Sequence, residues 1–191
     1  MKATEKAYIA GLFDGEGSIY IRIKGDRLQL EVNISQHMGS ISVLEMVQNR
    51  FSGSISSPYK NNCKWVTSHD KAKKFLLKML PYLHIKKEQA RIAIAFCVVK
   101  NAVTKWRFRI MDGNDLRNGK GIAIPDEIRQ FCNKCKRMIT ELNNFLPVTE
   151  TERESLQEER RFLSQKYDVM AGMKLSFWKD ATVQPTEMIN Q

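Results

Sequence analysis

Two alternating runs, Ser18-Ile19-Tyr20-Ile21-Arg22-Ile23-Lys24 and Leu28-Gln29-Leu30-Glu31-Val32-Asn33-Ile34-Ser35, joined by Gly25-Asp26-Arg27, decide the fold of this chain. Apolar and polar residues exchange at every step in both arms, the period of a strand with one buried and one solvated face. The short glycine-containing junction makes the pair a β-hairpin. Working outward, Thr4 is placed to cap a helix over residues 5–14 that stops at Gly15-Glu16-Gly17. Downstream, Ile41, Leu44, Val47 and Phe51 recur at helical spacing and Gly53 closes that helix. Two shorter strands come next, around residues 54–57 and 63–67, with Pro58, Asn61 and Asn62 in the turn between them. Asp70 can cap a helix bearing Phe75, Leu76, Met79 and Leu80, which Pro81 ends, and a further helix covers residues 86–99. Strands that come in hairpins between helices build an antiparallel sheet, so the class is α+β with an αββαββα core. Residues 101–124 are rich in Gly, Asn and Lys and read as irregular. Pro125-Asp126-Glu127 then opens another helix through Ile128, Phe131, Cys135, Met138 and Leu142.

The chain has 191 residues, enough for one domain with an appendage and for a core that needs neither disulfides nor a structural metal. Lys and Arg outnumber Asp and Glu by 31 to 21. The surplus is not uniform. Residues 149–191 hold six basic and eight acidic side chains, a balance of −2, so residues 1–148 carry +12. A polyanionic partner is implied, and it binds the first three quarters of the chain. Residues 1–148 form one domain with an accessory helix. Residues 149–191 read as a helical tail, acidic in its first turn and frayed at its end.

No long apolar run succeeds the N-terminus, which excludes a signal peptide and a membrane span and implies a soluble intracellular protein. Cys63, Cys97, Cys132 and Cys135 are then reduced thiols. The CxxC spacing of Cys132 and Cys135 lacks the second pair a zinc site needs and the strand-to-helix setting of a redox motif, leaving ordinary thiols on a helix.

Chemistry concentrates in Ile9-Ala10-Gly11-Leu12-Phe13-Asp14-Gly15-Glu16-Gly17. Ala7, Gly11 and Gly15 share one helical face, while Ile9, Leu12 and Phe13 supply the core-facing side. A stripe of minimal side chains admits a second helix at short distance. Were two copies to pack through it, Glu16 of each would approach Glu16 of the other, an arrangement that is costly unless divalent cations lie between them. The plainer alternative is a packed helix with a glycine-rich end and exposed acids. Residue chemistry alone leaves both readings open.

The same nine residues resemble the LAGLIDADG signature of homing endonucleases. The hairpin comes where that family places it, as does the αββαββα order. Tyr82-Leu83-His84-Ile85-Lys86-Lys87-Glu88-Gln89-Ala90 resembles the family segment bearing an active-site lysine, which falls on Lys86. Leu30-Glu31-Val32-Asn33-Ile34-Ser35-Gln36 puts Gln36 where single-motif members carry a polar active-site residue. The resemblance covers roughly residues 5–100 and includes one signature only.

It implies an antiparallel sheet saddle with C-terminal helices, lying in the major groove of double-stranded DNA, which a two-stranded ribbon can enter. Tyr20, Arg22, Lys24, Gln29, Glu31, Asn33 and Ser35 would face the bases. For the second ribbon, Lys64 and Trp65 point to opposite faces, and alternation alone does not say which meets DNA. A single signature implies a homodimer through Ala7, Gly11 and Gly15, cutting a long pseudo-palindromic target. Glu16, with the Gly15 carbonyl, would hold Mg²⁺ or another divalent cation such as Mn²⁺. Lys86 would offset phosphate charge or help activate water, and Gln36 would position solvent. Asp14 is better suited to a local hydrogen bond than to metal. The chain departs from the pattern twice: Glu16 stands for the second Asp of the motif, and Ser40 where some members carry a basic residue. A non-cleaving intron maturase or regulator on the same scaffold, with RNA as partner, is the rival. His37, His69 and His84 have no arrangement suited to a histidine-based nuclease.

Overall fold

The computed structural model describes residues 1–56, 60–110 and 123–144. Its elements are α1 (Ala3–Glu16), β1 (Gly17–Lys24), β2 (Arg27–His37), α2 (Ile41–Phe51), β3 (Ser54–Ile55), β4 (Asn62–Ser68), α3 (His69–Met79), α4 (Lys87–Ile110) and α5 (Asp126–Asn144). Single 3-10 turns precede α2 and succeed α3. The expected αββαββα order and antiparallel class are observed. Chain contacts separate Met1–Lys100 with Ala123–Asn144 from the remaining residues, and the first of these units contains the whole sheet.

The four strands lie in the order β1-β2-β4-β3, all antiparallel. Register obeys the apolar alternation: Ile19 pairs with Val32, Ile21 with Leu30 and Ile34 with Trp65. All six side chains are buried, so one sheet face is core and the other is open. A one-residue slip would turn every one of them outward, which is why the pattern specifies the pairing so strongly.

Phe75 of α3 is the hub of the core. Its ring lies 5.1 Å from Phe13 of α1, 4.9 Å from Phe51 of α2 and 5.1 Å from Trp65 of β4, the first two edge-on. Edge-on aromatic pairs contribute about 0.5–1.5 kcal/mol each beyond the area they bury. Trp65 is fully buried and its Nε1 donates to the Ser52 carbonyl at 2.8 Å, so Lys64, which is exposed, is the residue that β4 presents on the open face. Gly53, at φ +100°, takes a backbone conformation that side chains rarely adopt, and a Cβ there would meet the Val66 carbonyl at 2.5 Å.

Helix α5 buries Ile128, Phe131, Cys132, Cys135, Met138 and Ile139 and runs along the edge strand β1. It is tied at both ends. Arg129 bonds the Asp26 carboxylate (2.7 Å) and the Gly25 carbonyl (3.3 Å) at the hairpin turn, and Asn143 Nδ2 donates to the Ile19 carbonyl at 2.8 Å. The helix between these ties is roughly 21 Å long and the matching strand roughly 20 Å, so the two elements are commensurate. Covering β1 in this way removes an edge that would otherwise invite further strands.

Several boundaries differ from those expected of the sequence. Helix α1 begins at Ala3 and ends at Glu16, with no side-chain cap. Helix α3 starts at His69, which has φ 54°, so Asp70 sits in its first turn instead of capping it. Residues 101–110, expected to be irregular, continue α4, because Ala102 and Val103 extend the buried face formed by Ala95, Phe96 and Val99. All four cysteines are free and buried. Burial pushes the Cys97 thiol up to about 11 and Cys132 up to about 12, and raises Cys135 as well. The expected helical tail, and the domain boundary at residue 148, lie outside the described residues. No helix among the described residues is long and apolar enough to cross a membrane.

Candidate active site

The end of α1 is built by the collision of helix and strand at Gly17. Its backbone N–H caps the helix on the Phe13 carbonyl, and a Cβ at this position would run into both the Phe13 ring and that carbonyl. Only glycine lets the chain turn directly from α1 into β1 above a fully buried Phe13. The turn fixes where the last three helical residues point. Asp14 is turned inward and is 8% exposed, whereas Gly15 and Glu16 are exposed.

Asp14 joins α1 to the segment between α3 and α4. Its Oδ2 accepts the His84 backbone N–H and its Oδ1 the Lys86 backbone N–H, both at 2.8 Å. Lys86 Nζ donates to the Asp14 carbonyl. Lys86 therefore lies beside the acid pair. Burial pulls its ammonium below the usual lysine range, and the Asp14 and Glu16 carboxylates pull against that shift. Both Asp14 oxygens accept backbone N–H groups, so the expectation of a local hydrogen-bonding role fits the geometry. Gln36 stands near this point: Gly17 pairs with Ile34, two residues before it, and Gln36 itself is half-buried opposite Cys63.

Beside this cluster, Ala7, Gly11 and Gly15 form an exposed line along α1. A Cβ built on Gly11 or Gly15 meets nothing within 4 Å. Among the described residues, none uses the room that these small side chains leave. The core-facing side is Ile9, Ala10 and Phe13, with Leu12 only half-buried.

The open sheet face carries Tyr20, Arg22, Lys24 and Gln29 as exposed side chains, with Glu31 and Ser35 half-buried. Arg22 and Glu31 form an ion pair at 3.2 Å. Asn33 differs from the rest. It shares this face, between Ser18 on β1 and Val66 on β4, but is only 2% exposed, and its Nδ2 has no hydrogen-bond partner among the described residues. Register adds two cations to this face beyond those expected from the hairpin: Arg27, opposite Lys24, and Lys64, opposite Ser35. The pairing of β4 with β2 assigns Lys64 to this face, and Arg27, expected in the turn, is instead the first residue of β2.

A divalent cation needs oxygen donors within reach. Among the described residues no three His, Cys, Asp or Glu side chains come together as a metal-sized group. One chain offers the exposed Glu16 carboxylate and the carbonyl of Gly15, which lies in a last helical turn where carbonyls lack intrahelical donors. These two donors are of the kind a hard cation takes, but fewer than it needs.

Residues 9–99 match the LAGLIDADG endonuclease family. No curated protein matches the chain in sequence. Among solved structures, the chain is similar in fold to the homing endonuclease I-CvuI in complex with its target, with a TM-score of 0.58, 15% identity, and coverage of 86% of this chain and 95% of that one. It is similar to the archaeal intron-encoded homing endonuclease I-Vdi141I complexed with DNA, at TM-score 0.53, 18% identity, and coverage of 87% and 98%. The K262A mutant of I-SmaMI gives TM-score 0.54 and 13% identity over 80% of this chain but only 48% of that one. The motif at residues 9–17, the αββαββα order, the family match over residues 9–99 and these likenesses in fold together show homology of this segment to the LAGLIDADG homing endonucleases, with one copy of the signature.

Proposed function

We propose that the chain is a site-specific double-strand DNA endonuclease that works as a homodimer and hydrolyses one phosphodiester per strand with the help of a divalent cation. The observation that carries this reading is the convergence of Glu16, Gly15 and Lys86 at one end of an exposed small-residue stripe, next to an open polar sheet face. Each half alone is incomplete. Pairing α1 with its copy through Ala7, Gly11 and Gly15 brings two Glu16 carboxylates together and supplies donors that one chain lacks. The match over nearly all of I-CvuI but about half of I-SmaMI supports reading this chain as one lobe of a two-lobed enzyme.

In this arrangement Glu16 and the Gly15 carbonyl would hold Mg²⁺ or Mn²⁺. Such an ion supplies an activated water and stabilises the leaving 3′ oxygen. The chain's own residues do the rest. Lys86 places positive charge against the phosphate, Gln36 orients solvent at the end of β2, and the sheet face holds the duplex. Arg22 and Lys24 suit guanine or phosphate, Gln29 adenine, and Glu31 the cytosine amino group, with Tyr20 and Ser35 completing the surface, while Asn33, 2% exposed, is too buried to reach a base edge. Two lobes related by a two-fold axis read a long pseudo-palindrome.

The test is incubation with the DNA that flanks the coding sequence, rejoined as it would stand without the insertion. Mg²⁺-dependent cutting of that junction, and none of the interrupted allele, is expected. Glu16→Gln should abolish cutting while leaving binding intact. Cleavage that survives the substitution excludes this active site. A chain that binds intron RNA and never cuts is the maturase.

A further inference from the structure

Asp14 is a buried carboxylate that neither the proposed metal site nor the DNA face uses. Its geometry is unusually specific. The two oxygens take the N–H groups of residues 84 and 86, at 2.8 Å each, and its carbonyl takes the Lys86 ammonium. The segment it holds has no strand or helix of its own between the turn ending at Tyr82 and the start of α4 at Lys87. Leu83, fully buried, anchors one end of that segment, and the Ala90 N–H to Lys86 carbonyl bond starts α4 at the other. Between the two captured amides the chain arches outward, and Ile85 stands 72% exposed. A large apolar side chain is left in solvent because the backbone on either side of it is bound to Asp14.

We propose that Asp14 is the positioning residue for Lys86: it fixes the 84–86 segment to the last turn of α1 so that the ammonium is delivered beside Glu16. The proposal rests on the reading of Glu16 and Lys86 as the reactive pair. The side chain is suited to the task in a way its neighbours in chemistry are not. A carboxylate has two acceptor oxygens for two donors. An asparagine would set an NH₂ against one of the backbone N–H groups, and a glutamate would push the segment away by a methylene. The C-terminal end of a helix also favours a cation, so the same turn that binds the segment attracts its lysine. Asp14 touches no substrate in this arrangement and acts only through Lys86.

Two measurements test this. The first is amide hydrogen exchange on the wild-type chain: the His84 and Lys86 amides exchange slowly in the native state. Exchange at the rate of an open loop overturns the clamp without any variant being made. The second is a double-mutant cycle on single-turnover cleavage with saturating enzyme, using Asp14→Asn, Lys86→Ala and both together. Asp14→Asn is expected to slow cutting at least about tenfold while target affinity changes by less than about threefold, and to add less than about threefold in the Lys86→Ala background. Multiplicative losses in the double variant overturn the proposal, because they place Asp14 outside the lysine's action. If the wild-type chain cuts no candidate junction, the endonuclease reading falls and this role falls with it. Active wild type with multiplicative losses removes the positioning role alone.

Discussion

Replacing Gly11 by leucine separates what α1 does within one chain from what it does between two. Gly11 is exposed in the middle of α1, and a Cβ there meets nothing within 4 Å. Within the monomer the substitution is therefore favourable. Glycine costs a helix interior about 0.8–1.0 kcal/mol relative to alanine, and leucine is close to alanine. A chain whose α1 faces solvent should gain most of that amount. If α1 instead packs on its copy through Ala7, Gly11 and Gly15, which rise about 6 Å apart along the axis, a leucine at the central position holds the helices apart. Forcing a large side chain into a close contact costs typically 1–3 kcal/mol. Two-fold symmetry applies that cost twice, giving roughly 2–6 kcal/mol, or about 30-fold to 10⁴-fold in the dimer dissociation constant.

The assay is sedimentation equilibrium over a concentration series, run beside thermal unfolding and cleavage. Gly11→Leu should be a folded monomer at concentrations where the wild type is a dimer, should unfold no more readily at high dilution, and should not cut both strands. Gly11→Ala should fall between the two. A leucine variant that dimerises and cuts like the wild type removes the stripe from the interface and refutes the reasoning.

Other outcomes rest on the packing and the thiols. Phe75→Ala, which empties the point where Phe13, Phe51 and Trp65 meet, should cost about 3–5 kcal/mol in denaturant unfolding. Gly17→Ala should destabilise by about 1–3 kcal/mol by driving a methyl into Phe13, and a neutral result there would mean that the helix-to-strand turn relaxes freely. Native protein should resist iodoacetamide at pH 8.5 at Cys97 and Cys132, whose thiols burial holds up at about 11 and about 12, with labelling only on unfolding. The folded chain keeps these protons after the unfolded chain has released them. Stability therefore falls as pH rises through the unfolded value of 9.0 toward the folded values, which urea midpoints across that window would register.

The hairpin and the signature were legible because each rests on local periodicity that tertiary structure had only to accept. A slip of one residue would turn Ile19, Ile21, Leu30 and Val32 from the core to the open face. The limits of α4 were not legible, since the Gly- and Asn-rich composition beyond it masked Ala102 and Val103 as a continuation of its buried face. The role of Asp70 was ambiguous for a related reason: an acid in a first turn suits the helix dipole as well as an acid at the cap does. Trp65 and Lys64 were ambiguous until β4 was placed beside β2, because which face a strand buries depends on its neighbour. Asn33 shows the converse. Alternation puts it on the polar face correctly, but alternation is blind to how closely Ser18, Val66 and their neighbours pack around it.

The partition of the two acids at the end of α1 is dictated by helix geometry alone. Residues 14 and 16 are two steps apart, and at 3.6 residues per turn that is a rotation of about 200°, so they must face opposite sides of the helix. Phe13 and Ile9 determine which side is inward. Asp14 therefore turns toward the protein, where only a carboxylate with ready donors is tolerated, and finds the backbone N–H groups of His84 and Lys86. Glu16 turns outward, and Lys86 is the cation that stands near it. An exposed carboxylate is ordinary on most surfaces. Here it sits at the end of a stripe with room for a second helix and next to a face with a surplus of basic groups. On the function proposed above, the buried acid holds the 84–86 segment and the exposed one is left to hold the cation. Exchanging them, with Asp14→Glu and Glu16→Asp in one chain, should keep the motif's net charge and lose its function, because the longer side chain no longer fits between the two amides. A swapped chain that retains both native protection at His84 and Lys86 and full cleavage would show that the 200° partition does not govern the site.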